Sequence, residues 1–302
     1  MLLRMKKWLC VIPAVMGIQS VQAEVWSLRM PDTYLLPSYA KATYVSRMHE
    51  RHGGSHLGWQ EYTLNLPFTD PRRSRVGNWW LNVQGNASVS LMDVGGRLDL
   101  RKDELLDFSV PFTFIHPLER EGERVSITVM PRYAGDAAHS ARSWDLTLVA
   151  DYTQRYSDTF TYSIGLASSP RFADYAVVPY LSFHWKATPE WNVQLRGFRL
   201  SALYKMSEHL QVGPALSGEG GTWMVDTPVG ERVLRVRSLT AAMLAEYDFS
   251  RAGQTKRIIT AAVGTTLVTG AEICRRNASH DRQVGYHYKP GLVISAGVDF
   301  RF

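Results

Sequence analysis

The sequence predicts an all-β protein: a single antiparallel transmembrane β-barrel of 12 to 14 strands, 14 favoured, with both termini on the periplasmic side. Three observations carry that expectation. Apolar and polar residues alternate in segment after segment, as a two-faced sheet requires. Beyond the N-terminus no run is apolar for the roughly 18 residues that a membrane helix needs. The chain also ends in alternation: Leu292, Ile294, Ala296, Val298, Phe300 and Phe302 share one face, and Ser295, Gly297, Asp299 and Arg301 the other.

Composition alone would read as soluble, since 45% of the 302 residues are hydrophobic and the mean hydropathy is −0.18. Alternating strands produce that value, because lumen-facing polar residues dilute the apolar ones. The first 23 residues read as a secretory signal peptide: Arg4, Lys6 and Lys7, an apolar run from Trp8 to Ile18, then Val21-Gln22-Ala23 as the cleavage site. Cys10 lacks the small neighbours of a lipoprotein box. Cutting after Ala23 removes three cations and no acid, so the formal charge falls from +6 to +3. Nucleic acid is therefore not an expected partner. Cys274 then remains as the only thiol, and no intrachain disulfide can form.

Residues 24–38, with Pro31 and Pro37, show no sustained period and read as a periplasmic leader or a segment tucked into the lumen; the barrel spans 39–302. Tyr39 to Met48 forms the first candidate strand, and the polar HERHGGSH that follows is a loop. Tyr62, Leu64, Leu66 and Phe68 alternate with polar neighbours. Leu81, Val83, Gly85, Ala87, Val89 and Leu91 alternate with Asn82, Gln84, Asn86, Ser88 and Ser90. Phe108–Phe114, Val125–Val129 and Trp144–Tyr152 repeat the pattern, as do Leu239–Phe249 and Ile259–Leu267. These last two reach or exceed the roughly 9 to 11 residues that cross a bilayer at a tilt. A secreted β-sandwich is the soluble alternative, but its inner face would not be lined with Asn, Gln, Ser and Asp.

Short polar connections at 154–159, 187–190, 207–209 and 250–255 have the character of periplasmic turns, while 168–176 and 270–287 read as outer loops. Parity then demands a hairpin near Gly197 to Arg199, which gives 14 strands; without it, and discounting the weak first strand, 12 are possible. Aromatics cluster at strand ends, with Trp144, Tyr152, Trp185, Trp191, Trp223 and Tyr247 as the chief interface candidates. The charged residues assigned to the lumen are Asp145, Asp151, His184, Lys186, Arg196, Glu219, Arg235, Arg237, Glu246, Asp248, Asp299 and Arg301. A mixed set of this kind fits a wet pore or an interior stitched by ion pairs.

His49, His52 and His56 have spacings that could share a metal, but no complete ligand set accompanies them, and no metal or other cofactor is expected. Arg275, Arg276, His280, Arg282 and His287 could grip lipopolysaccharide phosphates from the last outer loop. Asn277-Ala278-Ser279 matches a glycosylation acceptor that carries no weight in a bacterial outer membrane. No nucleophile elbow, P-loop or paired-cysteine motif points to an enzyme.

The segment Ser295 to Phe302, with Ser295, Gly297, Phe300 and Phe302 at its marked positions, resembles the terminal signal of Gram-negative outer-membrane β-barrels. The mature chain as a whole is similar to the uncharacterised porin-like families of such barrels. That resemblance implies insertion by the barrel-assembly machinery, a surrounding of outer-membrane lipid and lipopolysaccharide, and no defined substrate. The expected role is a passive pore for small solutes or a structural envelope barrel. From other classes, a surface-binding barrel would work through its outer loops, most of which are short, and a barrel hydrolase would need a His and Ser pair that the outward face lacks.

Overall fold

The computed structural model describes residues 37–69, 74–96, 98–136, 144–168, 177–196, 199–250, 256–274 and 282–301, without the side chains of Pro37, Tyr180, Arg196, residues 282–284 and Arg301. The signal peptide, the leader up to residue 36, the 275–281 loop and Phe302 lie outside the described residues. Among the described residues every regular element is a strand: β1 Pro37–His49, β2 His56–Pro67, β3 Arg75–Val76, β4 Trp79–Gly95, β5 Glu104–Ser109, β6 Phe112–Pro117, β7 Glu123–Asp136, β8 Trp144–Arg155, β9 Phe160–Ser168, β10 Val178–Lys186, β11 Trp191–Arg196, β12 Arg199–Lys205, β13 Leu210–Thr227, β14 Gly230–Asp248, β15 Lys256–Cys274, β16 Arg282–Tyr288 and β17 Leu292–Arg301.

They form a closed antiparallel ring of 14 strands. β5 and β6 are one strand broken at Pro111, which has no N–H for the ladder; β16 and β17 are another, broken at Pro290-Gly291. β1 closes the ring on β17, from Pro37 opposite Arg301 to Val45 opposite Val293. The hairpin required by parity exists, with Arg196 opposite Arg199. The 270–287 loop is shorter than the sequence suggests: β15 runs to Cys274 and β16 resumes at Arg282, with Gly270 opposite His287.

Both ends of the described barrel chain and the four short connections lie at one end of the ring, here the turn end. At the opposite end the wall is uneven. β11 and β12 have 6 and 7 residues, whereas β13, β14 and β15 have 18, 19 and 19. Beyond Leu216, where β12 ends its pairing, β13 stands without it and reaches across to β7, where Met224 pairs in parallel with Gly135. The tall strands thereby close a narrower neck above the shortened ones.

Side chains sort by face as period two dictates. Tyr62, Leu64, Leu66, Leu146, Leu148, Met243, Ile259, Val263 and Ile294 are exposed outward, while Asn82, Gln84, Asn86, Thr147, Asp151 and Thr153 are buried inside. An extra residue in β15 resets the phase: Leu239 faces Val268 but Thr240 faces Thr266, so Leu267 is bulged out. A bulge in β1 between Val45 and Met48 does the same.

Candidate functional site, the barrel interior

The interior has three layers. Nearest the turn end lies a hydroxyl and amide lattice. Asn65 Nδ2 donates to Gln84 Oε1 at 3.1 Å and to Asn86 Oδ1, and Asn86 Nδ2 donates to Ser109 Oγ at 3.3 Å. Thr113 and Thr128 hydroxyls meet at 2.9 Å, and those of Thr153 and Ser163 at 2.8 Å. Asp151 accepts from Ser126 Oγ and, at 3.3 Å, from Thr153 Oγ1. Asn82 Oδ1, Asn192 Oδ1, Thr147 Oγ1 and Ser201 Oγ are buried without a partner among the described residues. Groups of this kind are normally satisfied by ordered water, so the layer suits a wet lumen.

Above it sits a charged belt that sequence reasoning identified only in part. Arg132 Nε donates to both carboxylate oxygens of Asp107, at 2.9 and 3.0 Å, and Nη2 donates to Oδ2. Lys41 Nζ lies 3.9 Å from Glu219 Oε1, which also accepts from Ser217 Oγ at 3.1 Å. Glu61 sits in the field of Lys41, Glu219 and Asp107. Asp145 stands opposite Arg132 in the β7–β8 ladder. The signal missed was positional: Lys41, Glu61, Asp107 and Arg132 each hold an inward phase in their strands.

The neck is apolar. Val45, Met48, Leu57, Trp59, Met92, Leu105, Ala134, Trp223, Val225, Leu234, Val236, Ala271, Ile273, Tyr286, Tyr288 and Val293 form one buried cluster with Leu98 and Leu100 from the β4–β5 connection. Strands spaced around a closed ring can share one cluster only through the interior. Trp223 Nε1 and Tyr288 Oη find no partner there among the described residues.

The other expected lumen residues divide. His184, Lys186, Glu246 and Asp299 hold inward phases, and Asp248 sits at the turn end, capping Ser250 N at 3.0 Å and 3.6 Å from Lys256 Nζ. Arg196 and Arg301 have described backbone only. Arg235 and Arg237 must be corrected: β14 pairs with β13 without a break from Tyr247 to Gly230, so the phase that buries Leu234 and Val236 inside turns both arginines to the opposite face. Trp223 is corrected as well. At 6% exposure it belongs to the neck core and not to a lipid interface. Trp144, Trp185, Trp191 and Tyr247 are exposed on the outward face, with Tyr152 in the same phase as Leu148. Ser295 and Gly297 face inward and Phe300 outward.

His56 Nε2 lies 3.4 Å from Asp93 Oδ1, which also accepts from Arg47 Nη2 at 2.8 Å. Among the described residues no group of three or more His, Cys, Asp or Glu could hold a metal.

No curated protein matches the sequence. Among solved structures, the chain is similar to the COG4313 outer membrane channel from Pseudomonas putida F1, at 11% identity and a TM-score of 0.44 over 88% of this chain and 94% of that one. It is also similar to a deletion mutant of the TodX monoaromatic hydrocarbon channel, at 9% identity and a TM-score of 0.33 over 89% and 90%. A third is OccK5 (OpdH) of Pseudomonas aeruginosa, at 8% and 0.27 over 87% and 98%. The family model for a domain of unknown function, DUF6268, matches residues 39–301, and the chain belongs to that family.

Proposed function

We propose that the protein is a passive channel of the bacterial outer membrane for small solutes, with its turn end in the periplasm and its neck outside. The observation that carries this is the pairing of two faces on one closed ring: an outward apolar surface suited to lipid, and an inward polar lattice whose orphan atoms call for water. Closure leaves no unpaired strand edge in the hydrocarbon, which is the condition for a sheet to span a bilayer. Among the described residues the inward polar groups engage one another around the wall, which supports a passive role. Outer-membrane lipid and lipopolysaccharide would surround it, and the barrel-assembly machinery would insert it. The apolar neck favours a second reading, a permanently closed structural barrel.

The two separate on one variant. Replacing residues 222–235 by an Asn-Gly turn between Gly221 and Val236, which already pair, removes the neck hairpin and keeps the wall below it. In planar bilayers the refolded variant is expected to give discrete ionic current steps. A folded, heat-modifiable barrel that stays silent would leave the structural reading in place. Assembly has its own test: deleting Phe302 is expected to leave the protein unfolded in the periplasm and degraded, and normal amounts of heat-modifiable barrel in the outer membrane would remove the terminal-signal argument.

A further inference from the structure

The neck is divided by a line of backbone irregularities that lie at one height. In β13 the run Ser217-Gly218-Glu219-Gly220-Gly221 contains Gly220 at φ +121°, and a Cβ there would stand 2.1 Å from Val236 O. Only glycine fits that bend. Gly218 is opposite Leu239, which faces the bulge of β15 at Leu267. Thr265 is opposite Leu292 and Thr269 opposite Tyr288, so the bulge is level with the Pro290-Gly291 break. Of these four strands, β14 alone crosses this height without a bend, bulge or break.

Above the line the upper parts of β13, β14, β15 and β16 form one paired flap. Its inner face, with Trp223, Val225, Leu234, Val236, Ala271, Ile273, Tyr286 and Tyr288, supplies much of the neck core. Its far edge is held at a few points. Met224 bridges to Gly135, Asp226 N donates to Asp136 Oδ2 at 2.9 Å, Arg101 Nη1 lies 3.0 Å from Asp226 Oδ2, and Arg101 N donates to Asp226 O at 3.2 Å. The closed arrangement also carries a cost, since Trp223 Nε1 and Tyr288 Oη are buried without partners among the described residues.

We propose that this flap is the gate that excludes hydrated solutes, and that Asp226, held between Arg101 and Asp136, is its latch. The proposal rests on the channel reading above. A constriction lined by Trp, Leu and Val stays dry and stops ions without a charged barrier. The belt below is then an antechamber, and selection occurs at the neck. Opening needs rotation about the Gly220, Leu267 and Pro290-Gly291 line, which breaks the short seam on β7 and, at the other edge, the ties of β16 to the end of β1 (the Glu50–Tyr288 bridge, Arg51 N donating to His287 O at 2.8 Å and Lys289 N to His49 O at 2.9 Å), and leaves the ladder of the wall below intact.

The test uses the full mature chain in planar bilayers. The unaltered protein is expected to open rarely. Asp136→Ala with Arg101→Ala is expected to raise the open fraction by about tenfold, the change that follows from losing a charge-assisted hydrogen bond. In that background, with Cys274→Ser, the pair Met224→Cys and Gly135→Cys occupies opposed positions in adjacent strands, within reach of a disulfide. Oxidised, it is expected to silence the current; reduced, to restore it. An open fraction unchanged by the latch substitutions, or an oxidised pair that conducts like the reduced one, overturns the gate. If the turn-replaced variant conducts while the latch variants behave like the unaltered protein, the channel stands and the gate falls. If that variant is silent too, the channel reading fails and the gate with it.

Discussion

Lysine at position 263 is expected to destabilise the folded barrel by about 2–4 kcal/mol, the cost of a cation on the lipid face near the bilayer midplane. Val263 lies in the lower wall of β15, is 53% exposed, and stands between Met243 and Ile294, which are also exposed. An ammonium there meets only hydrocarbon, and snorkelling recovers part of its solvation. Three residues away the same substitution has another environment. Thr260 faces the interior directly opposite Glu246, so Thr260→Lys gains a cross-strand partner and is expected to cost less than about 1 kcal/mol. Equilibrium urea unfolding from phospholipid vesicles measures both. If Thr260→Lys proved the more damaging, the facing of the whole wall would be inverted.

The contrast shows why the wall was legible in the sequence and the neck was not. Period two depends on nothing but local chain geometry, so Leu81–Leu91 and Leu239–Phe249 declare their faces without any knowledge of partners. Parity likewise forced a hairpin near Gly197, because an antiparallel ring cannot keep its short turns at one end otherwise. The neck breaks the rule connecting apolar with outward. Leu57, Trp59, Leu234 and Val236 are apolar and inward, and they read like ordinary members of alternating strands until one knows that the wall narrows around them.

Arg235 and Arg237 are a different case. The outward phase of Leu239 and Ala241, counted back along β14, already placed them with the outward set; their charge argued otherwise, and the backbone phase prevailed. Trp223 reads as an interface aromatic because it sits near a strand end. The glycine run before it was the available signal, since clustered glycine inside a strand marks a bend or a close backbone approach. The β15 bulge left no such mark, as Leu267 and Val268 are both plausible outward residues.

Arg132→Met is expected to be the most costly single change in the interior, at about 3 kcal/mol. Arg132 is 5% exposed, and its guanidinium holds Asp107 through a two-nitrogen fork. Methionine fills the stem but leaves a carboxylate that already shares its field with Glu61. Breaking one side of a buried ion pair costs roughly 3–5 kcal/mol, because the remaining charge is neither solvated nor matched. The lower end applies here, since the Asp107 side chain keeps 21% of its surface. Removing both partners, Arg132→Met with Asp107→Leu, is expected to recover most of the loss, with a coupling energy above about 1.5 kcal/mol in a double-mutant cycle. Arg132→Lys should fall between, for it keeps the charge and loses the fork. The cycle also reads the water content of the belt. A fully hydrated lumen would screen the pair to well under 1 kcal/mol, as at a protein surface. A coupling that small would mean that lumen water reaches the pair itself, whereas the expected value means that Arg132 and Asp107 are packed into the wall, shielded from the water of the antechamber.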